Sequence, residues 1–376
     1  MRPVVAPGWT GDPKRDVKII DCDVHHNISK PEDLLPYLPK AHRESFLDQG
    51  LMTPSTGFFN VPFRKVRTDL SDGDDSKVFD PRDRCSSYEM LRDEHMDLWN
   101  VDIGILTGPP FFYSMCALPD PDYAAALCRA MNDFTLEHWT GRDKRLKATI
   151  CVSTSDPIQA AAEVDRVGER DDVVGVIVPT GSQRPYGFRF YHPIWKACNR
   201  HKLAVVVHPG AIGTGTHAPP TAAGYPTYYM EERMARPSQA SAHCASFVIE
   251  GVFEKYPDLQ VGFVEVQQAW LISLLWHLDA DWKMLRDQTP WLKKLPSEYI
   301  RKHVKVGSQP IHQPPKEEQL LQMFEQMHAE DTLVYCSAFP HYDWDDPHTV
   351  FPKIHASLRR RIFQDNALEL FGLSVS

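Results

Sequence analysis

Short apolar runs rich in β-branched residues recur along the chain, each followed by a segment with helical spacing. The runs fall at residues 17–20, 101–106, 146–152, 173–178, 203–207, 258–264, 304–306 and 332–336. Helical spacing occupies 88–99, 123–139, 157–167, 191–201, 238–255, 270–284, 316–328 and 359–371. A run such as Leu203-Ala204-Val205-Val206-Val207 has no polar face, so both its faces are covered, as in a parallel sheet flanked by helices. Eight such units predict an α/β fold: one (β/α)8 (TIM) barrel domain over residues 1–376, with chain left over for inserted loops. A long polar insert is expected at 27–86, after the first strand, and a lid-like loop at 209–237, after the fifth. An open doubly wound sheet is the runner-up, but no Gly-rich nucleotide turn follows the first strand.

Composition narrows the partners. The 41 Lys+Arg against 50 Asp+Glu leave a formal charge of −9, which gives a nucleic-acid backbone no electrostatic footprint. No apolar run approaches the roughly 20 residues that cross a bilayer, so no membrane association is expected. Residues 1–14 lack the apolar core of a signal peptide. None of the eight cysteines stands in a C-x-x-C pair, so they read as free core thiols of a cytoplasmic protein. Proline is the unusual component, 31 of 376 residues where about 5% is typical. Many prolines follow predicted strand ends, the face on which such barrels carry their sites.

Chemistry-bearing residues gather at those same ends. Asp21-Cys22-Asp23-Val24-His25-His26 closes the first strand, and period-2 alternation puts Asp21, Asp23 and His25 on one face. A carboxylate and an imidazole two residues apart can chelate a divalent metal. His208 ends the fifth strand and Glu265 the sixth. A glutamate emerging from a buried strand needs a cation or strong donors, as ligand or as general base. His243 stands among small residues in the preceding helix and either faces the barrel mouth or packs.

At the eighth strand the sequence reads Cys336-Ser337-Ala338-Phe339-Pro340-His341-Tyr342-Asp343-Trp344-Asp345-Asp346-Pro347. Together with Ile19-Ile20-Asp21-Cys22-Asp23-Val24-His25-His26, His208-Pro209-Gly210, the 251–259 segment followed by Phe263-Val264-Glu265 and Trp270, and Asn366-Ala367, it resembles the amidohydrolase-related metal-dependent family. This second amidohydrolase group includes aminocarboxymuconate semialdehyde and resorcylate-type decarboxylases. The resemblance runs over about residues 17–373. It implies a metal held by Asp23, His25 and His208, with Glu265 at the position of a catalytic His or Glu. It also implies a homodimer. The family carries an aspartate after the strand-eight serine, where this chain has Ala338. That leaves three readings: an introduced substitution, a metal-poor relative, or chemistry moved away from metal-bound water.

Aromatic, proline-stiffened loops then suggest a pocket for a small organic substrate, lined by Phe111, Phe112, Tyr228, Tyr229, Phe339 and Trp344 with Arg233 as anchor. The site expected is Asp23, His25, His208, Glu265 and His243 as metal ligands, with Glu265, His243 and His341 as catalytic groups. A mixed imidazole/carboxylate set with open positions suits iron as well as zinc or manganese. The function expected first is a nonheme iron, di-iron monooxygenase acting on an apolar carboxylate-bearing molecule. A single-metal (Zn or Mn) decarboxylase or hydrolase is the alternative, and a non-catalytic binding protein the third.

Overall fold

A computed structural model describes residues 17–53, 85–213 and 219–374. Residues 54–84 of the expected insert and 214–218 of the expected lid lie outside the described residues.

Eight parallel strands run in chain order around one sheet: β1 (Ile20–Val24), β2 (Ile103–Leu106), β3 (Leu146–Cys151), β4 (Val173–Pro179), β5 (Ala204–His208), β6 (Val261–Phe263), β7 (Val304–Gly307) and β8 (Leu333–Val334). Register carries Val205, Val206 and Val207 opposite Val261, Gly262 and Phe263. Past β8 the chain runs on beside β1 and closes the ring. The Cys22 N–H donates to the Tyr335 carbonyl at 3.0 Å, Ala338 N–H to the Asp23 carbonyl at 3.0 Å, and His25 N–H to the Phe339 carbonyl at 2.8 Å. The fold is the expected (β/α)8 barrel, with fully buried Ile20, Val206, Val261, Phe263 and Val306 in its core.

Helix starts follow local chemistry. Asp156 accepts from the Ile158 and Gln159 N–H groups at 3.0 and 3.1 Å and caps the Pro157–Val167 helix, with proline at the first turn where no donor is needed. Asp120 does the same for Pro121–Thr135.

Several boundaries differ from the sequence reading. β1 starts at Ile20 and contains Asp21 and Asp23, because both carboxylates find buried donors inside the barrel. The 238–255 helix instead begins at Tyr229 and runs to Ile249; after Gly251 (φ +70°) a short turn, Val252–Lys255, follows. A Cβ at Gly251 would lie 2.5 Å from the Trp291 ring, so glycine is required there on two counts. The last third of the expected lid loop is therefore helix. The described part of the first insert carries a 3-10 turn (Pro31–Tyr37) and a helix (Lys40–Gln49), and a helix at Pro296–His303 precedes β7 without a distinct sequence signal. All eight cysteines are buried and free. No helix among the described residues is long and apolar enough to cross a membrane.

Candidate metal centre

Four side chains from three strand ends converge at the barrel mouth. Asp23, His25, His208 and Glu265 each offer a donor atom, all within 4.8 Å of one another, and all four are buried. His25 Nε2 lies 3.3 Å from Glu265 Oε1 and 3.5 Å from Asp23 Oδ1. His208 Nε2 lies 3.6 Å from Glu265 Oε2 and 3.9 Å from Asp23 Oδ2. Donors at ~2.1 Å from one ion sit roughly 3–4 Å apart, so these spacings suit a single cation. Asp23 Oδ2 and His208 Nε2 are buried without any hydrogen-bond partner. Buried polar atoms are normally satisfied, and a cation between these two would satisfy both. The donor set fits a divalent metal.

The charges say the same. Burial pushes the Asp23 carboxyl up against the pull of His25 and His208. Burial also opposes ionisation of Glu265, but His341, His208 and His25 outweigh it and hold that carboxyl well below the usual range. Burial pulls His25 down, yet Asp23, Glu265 and the Gly108 carbonyl push it up to about 9. Without a cation, the cluster keeps a proton on His25 to balance its carboxylates.

The backbone around the site is strained. Ala211, Glu265, Gln267 and Ala338 have φ of +54°, +53°, +62° and +56°, a region costing non-glycine residues roughly 1–2 kcal/mol each. They follow β5, β6 and β8, where strain serves to aim side chains. Ala338 is fully buried and carries no donor.

A second tier surrounds the donors. Thr107 Oγ1 donates to Asp23 Oδ1 at 2.7 Å, His25 Nδ1 to the Gly108 carbonyl at 2.8 Å, and His208 Nδ1 lies 2.6 Å from the Tyr113 hydroxyl. His341 Nδ1 meets Glu265 Oε1 at 2.7 Å, and its ring stacks on His25 with centroids 4.1 Å apart. Arg236 is buried; its Nη1 meets Glu265 Oε2 at 3.3 Å, and its Nε and Nη2 fork onto both Glu232 oxygens at 3.1 Å. Nearer the surface, Arg233 pairs with Asp343 at 2.5 Å and donates to the Tyr342 hydroxyl.

Other expected site residues lie elsewhere. His243 is not part of the cluster. Its ring stacks on Tyr186, Nδ1 accepts from the Tyr186 N–H at 3.2 Å, and Nε2 donates to the Thr180 carbonyl at 2.8 Å. Both nitrogens are used, and burial pushes it down to about 4, so it is a neutral packing residue. Phe112, Phe339 and Trp344 are core rather than pocket walls: Phe339 stacks on His95 and Trp344 packs on Trp99. Tyr228 is exposed at the start of the Tyr229–Ile249 helix. Phe111 is half-buried against Phe112. Tyr229 is half-buried, with its hydroxyl 3.3 Å from Arg236 Nη2. Asp21 also leaves the site; it binds His95 Nε2 at 2.8 Å and the Ser337 N–H at 2.9 Å. Thr107 carries no signal in the sequence, whereas Tyr113 and Tyr342 belong to the aromatic segments after β2 and β8, and Arg236 stands one turn from the expected anchor Arg233. The aromatic segment after β2 reads as pocket wall, and the structure uses it as support for the imidazoles.

The chain matches known proteins in family and in fold. The family model described as amidohydrolase matches residues 117–373, and the chain belongs to that family. Among characterised relatives, a γ-resorcylate decarboxylase of Rhodococcus jostii is 23% identical over 208 residues; the match spans 52% of this chain and 61% of that enzyme. Solved structures share the fold. An amidohydrolase of Mycobacterium avium subsp. paratuberculosis superposes with TM-score 0.70 at 19% identity, over 95% of this chain and 100% of that one. A 5-carboxyvanillate decarboxylase of Novosphingobium aromaticivorans, complexed with manganese and a nitrobenzoic acid, gives 0.67 at 19%, over 96% and 98%. A dihydroxybenzoic acid decarboxylase of Polaromonas, with manganese and 2-nitroresorcinol, gives 0.63 at 18%, over 96% and 98%. Nothing in these likenesses points to an oxygenase or to iron. Among the described residues the candidate donors form one group, not two, so the expected di-iron centre lacks a second set of ligands.

Proposed function

We propose that this chain is a divalent-metal-dependent decarboxylase of small aromatic carboxylic acids, with manganese or zinc as its ion. The observation that carries this reading is the four-donor cluster with two unsatisfied buried atoms, directly beside the Glu265–His341 pair. The manganese-bound decarboxylases of the same fold support it. Asp23, His25, His208 and Glu265 would hold the ion. Once bound, the ion would act as a Lewis acid toward a substrate oxygen.

The remaining steps belong to the side chains. Decarboxylation replaces the bond between a substrate carbon and its carboxyl carbon with a bond to hydrogen. His341, about a quarter exposed, delivers that proton. The electron pair of the broken bond stays with the carbon skeleton, and CO2 leaves. Glu265 fixes the His341 ring through Nδ1. Arg233, with Tyr229 and Tyr342 beside it, stands at the mouth to receive the substrate's anionic group.

The test is metal content together with CO2 release. Protein purified from manganese-supplemented medium is expected to hold about one ion per chain and to release CO2 from hydroxybenzoates without consuming oxygen. Two irons per chain with oxygen uptake and a hydroxylated product would replace this reading with the oxygenase. No bound metal after reconstitution would leave a binding protein. Activity only in Ala338→Asp would mean that the alanine disables an ordinary family enzyme.

A further inference from the structure

We propose that the segment after β2, residues 107–113, braces both metal-facing histidines from behind, and that Tyr113 is the positioning residue for His208. The inference rests on the metal reading above.

The two imidazoles reach the cluster through Nε2 and are held from behind through Nδ1. Behind His25 stands the Gly108 carbonyl, 2.8 Å from Nδ1. A carbonyl only accepts, so Nδ1 carries hydrogen, and in the neutral ring Nε2 is a bare lone pair. Behind His208 two oxygens face Nδ1: the Pro209 carbonyl at 2.9 Å and the Tyr113 hydroxyl at 2.6 Å. The reverse arrangement, with Tyr113 donating to a bare Nδ1, would set that lone pair against the Pro209 carbonyl. The hydroxyl is therefore an acceptor, and both rings present lone pairs to one point between Asp23 and Glu265.

The sequence makes room for this contact. A Cβ at Gly210, two residues after His208, would lie 3.0 Å from Tyr113 Cε2 and 2.8 Å from Ser114 Oγ. The glycine lets the fully buried Tyr113 ring lie against the β5 end. Gly108 sits at φ +69°, the left-handed region open to glycine. Thr107 in the same segment holds Asp23 Oδ1 at 2.7 Å. One segment thus supports three of the four donors without supplying any.

The test is Mn2+ titration of metal-free protein by calorimetry, comparing wild type with Tyr113→Phe, which keeps the ring and removes the hydroxyl. The dissociation constant is expected to rise about 10- to 100-fold, with the thermal midpoint of the metal-free variant unchanged. Nitrogen-15 spectra of the metal-free proteins, read near pH 10, above the value of about 9 for His25, give a second readout. The Pro209 carbonyl keeps hydrogen on His208 Nδ1 in the variant, and the Nδ1 signal is expected to shift because it loses its shorter contact. Gly210→Ala, which displaces the same ring, is expected to weaken Mn2+ in the same direction. Wild-type Mn2+ affinity in Tyr113→Phe would overturn the proposal while leaving the metal reading intact. So would a loss of affinity matched by a fall in the metal-free thermal midpoint. A wild-type protein that binds no Mn2+ would remove the metal reading, and this inference with it.

Discussion

Glu265 concentrates the chemistry of the site in one side chain. It leaves β6 in a strained backbone and meets His341 at 2.7 Å, His25 and Arg236 at 3.3 Å and His208 at 3.6 Å. Replacing it with glutamine keeps the shape and removes the charge. Arg236 would still fork onto Glu232, so no buried cation is stranded and the variant should fold. Glu265→Gln is expected to lower kcat by about 10²–10⁴-fold with only a small shift in melting temperature; CO2 release and a thermal melt measure both. Bound Mn2+, measured alongside, separates a lost ligand from a lost proton path, and an unchanged kcat would remove Glu265 from both roles. The sequence marked Asp23, His25, His208 and Glu265 because each ends an apolar run, where a polar side chain has few places to go. Tyr113 and Arg236 carried no such mark. Tyr113 meets a residue 95 positions away, and nothing local says which way its ring turns. His243 misled for the complementary reason: small neighbours suggested an open approach, but backbone groups from the β4 end occupy both its nitrogens.

At the scale of elements, the Tyr229–Ile249 helix shows where pattern reading stops. Pro237 suggests a helix boundary because it lacks an N–H and crowds the preceding turn. The helix nonetheless runs through it. The Arg233 carbonyl that Pro237 leaves without its donor lies 3.4 Å from the Gln267 side-chain amide, from the loop after β6. Glu231 caps the start, accepting from the Thr227 and Tyr228 N–H groups at 2.9 and 2.7 Å. The two turns before the proline carry Arg233 and Arg236 to the site, a tertiary gain that no local propensity records. Eight strands in order were legible because each buried run repeats the same pattern. The shortness of β8 was not, since closure depends on residues 335–339 bonding to β1, a pairing across the whole chain. Pro237→Ala restores the backbone donor. Stability in urea is expected to rise by about 1–2 kcal/mol, less than the ~3 kcal/mol that separates proline from alanine in a helix interior, because Gln267 already meets part of the cost. KM is expected to rise severalfold as Arg233 and Arg236 are re-aimed. A less stable variant would mean that the proline fits its turn without strain.

Across the whole molecule, three buried histidines pin helices to the barrel in neutral form. His26 bonds Thr135 Oγ1 at 2.7 Å at the end of the Pro121–Thr135 helix, His243 ties the Tyr229–Ile249 helix to Thr180 at 2.8 Å, and His303 bonds the Leu259 carbonyl at 2.9 Å while stacking on Phe253. Burial pushes them down to about 3, 4 and 4 respectively. An unfolded chain protonates each near pH 6.5, whereas the folded chain does not until far lower pH. As pH falls below about 6.5 the unfolded state therefore binds the extra protons, and stability drops by up to about 1.4 kcal/mol per pH unit for each histidine. Above that pH their contribution is constant. The thermal midpoint of the metal-free protein is expected to fall steeply between pH 6.5 and 5 on account of these three groups, before most carboxylates titrate. His303→Gln, which keeps a hydrogen-bonding side chain but cannot take the proton, should show a shallower fall over the same interval. Equal slopes in the two proteins would place the acid sensitivity elsewhere, in the ion pairs rather than in the rings that anchor the helices.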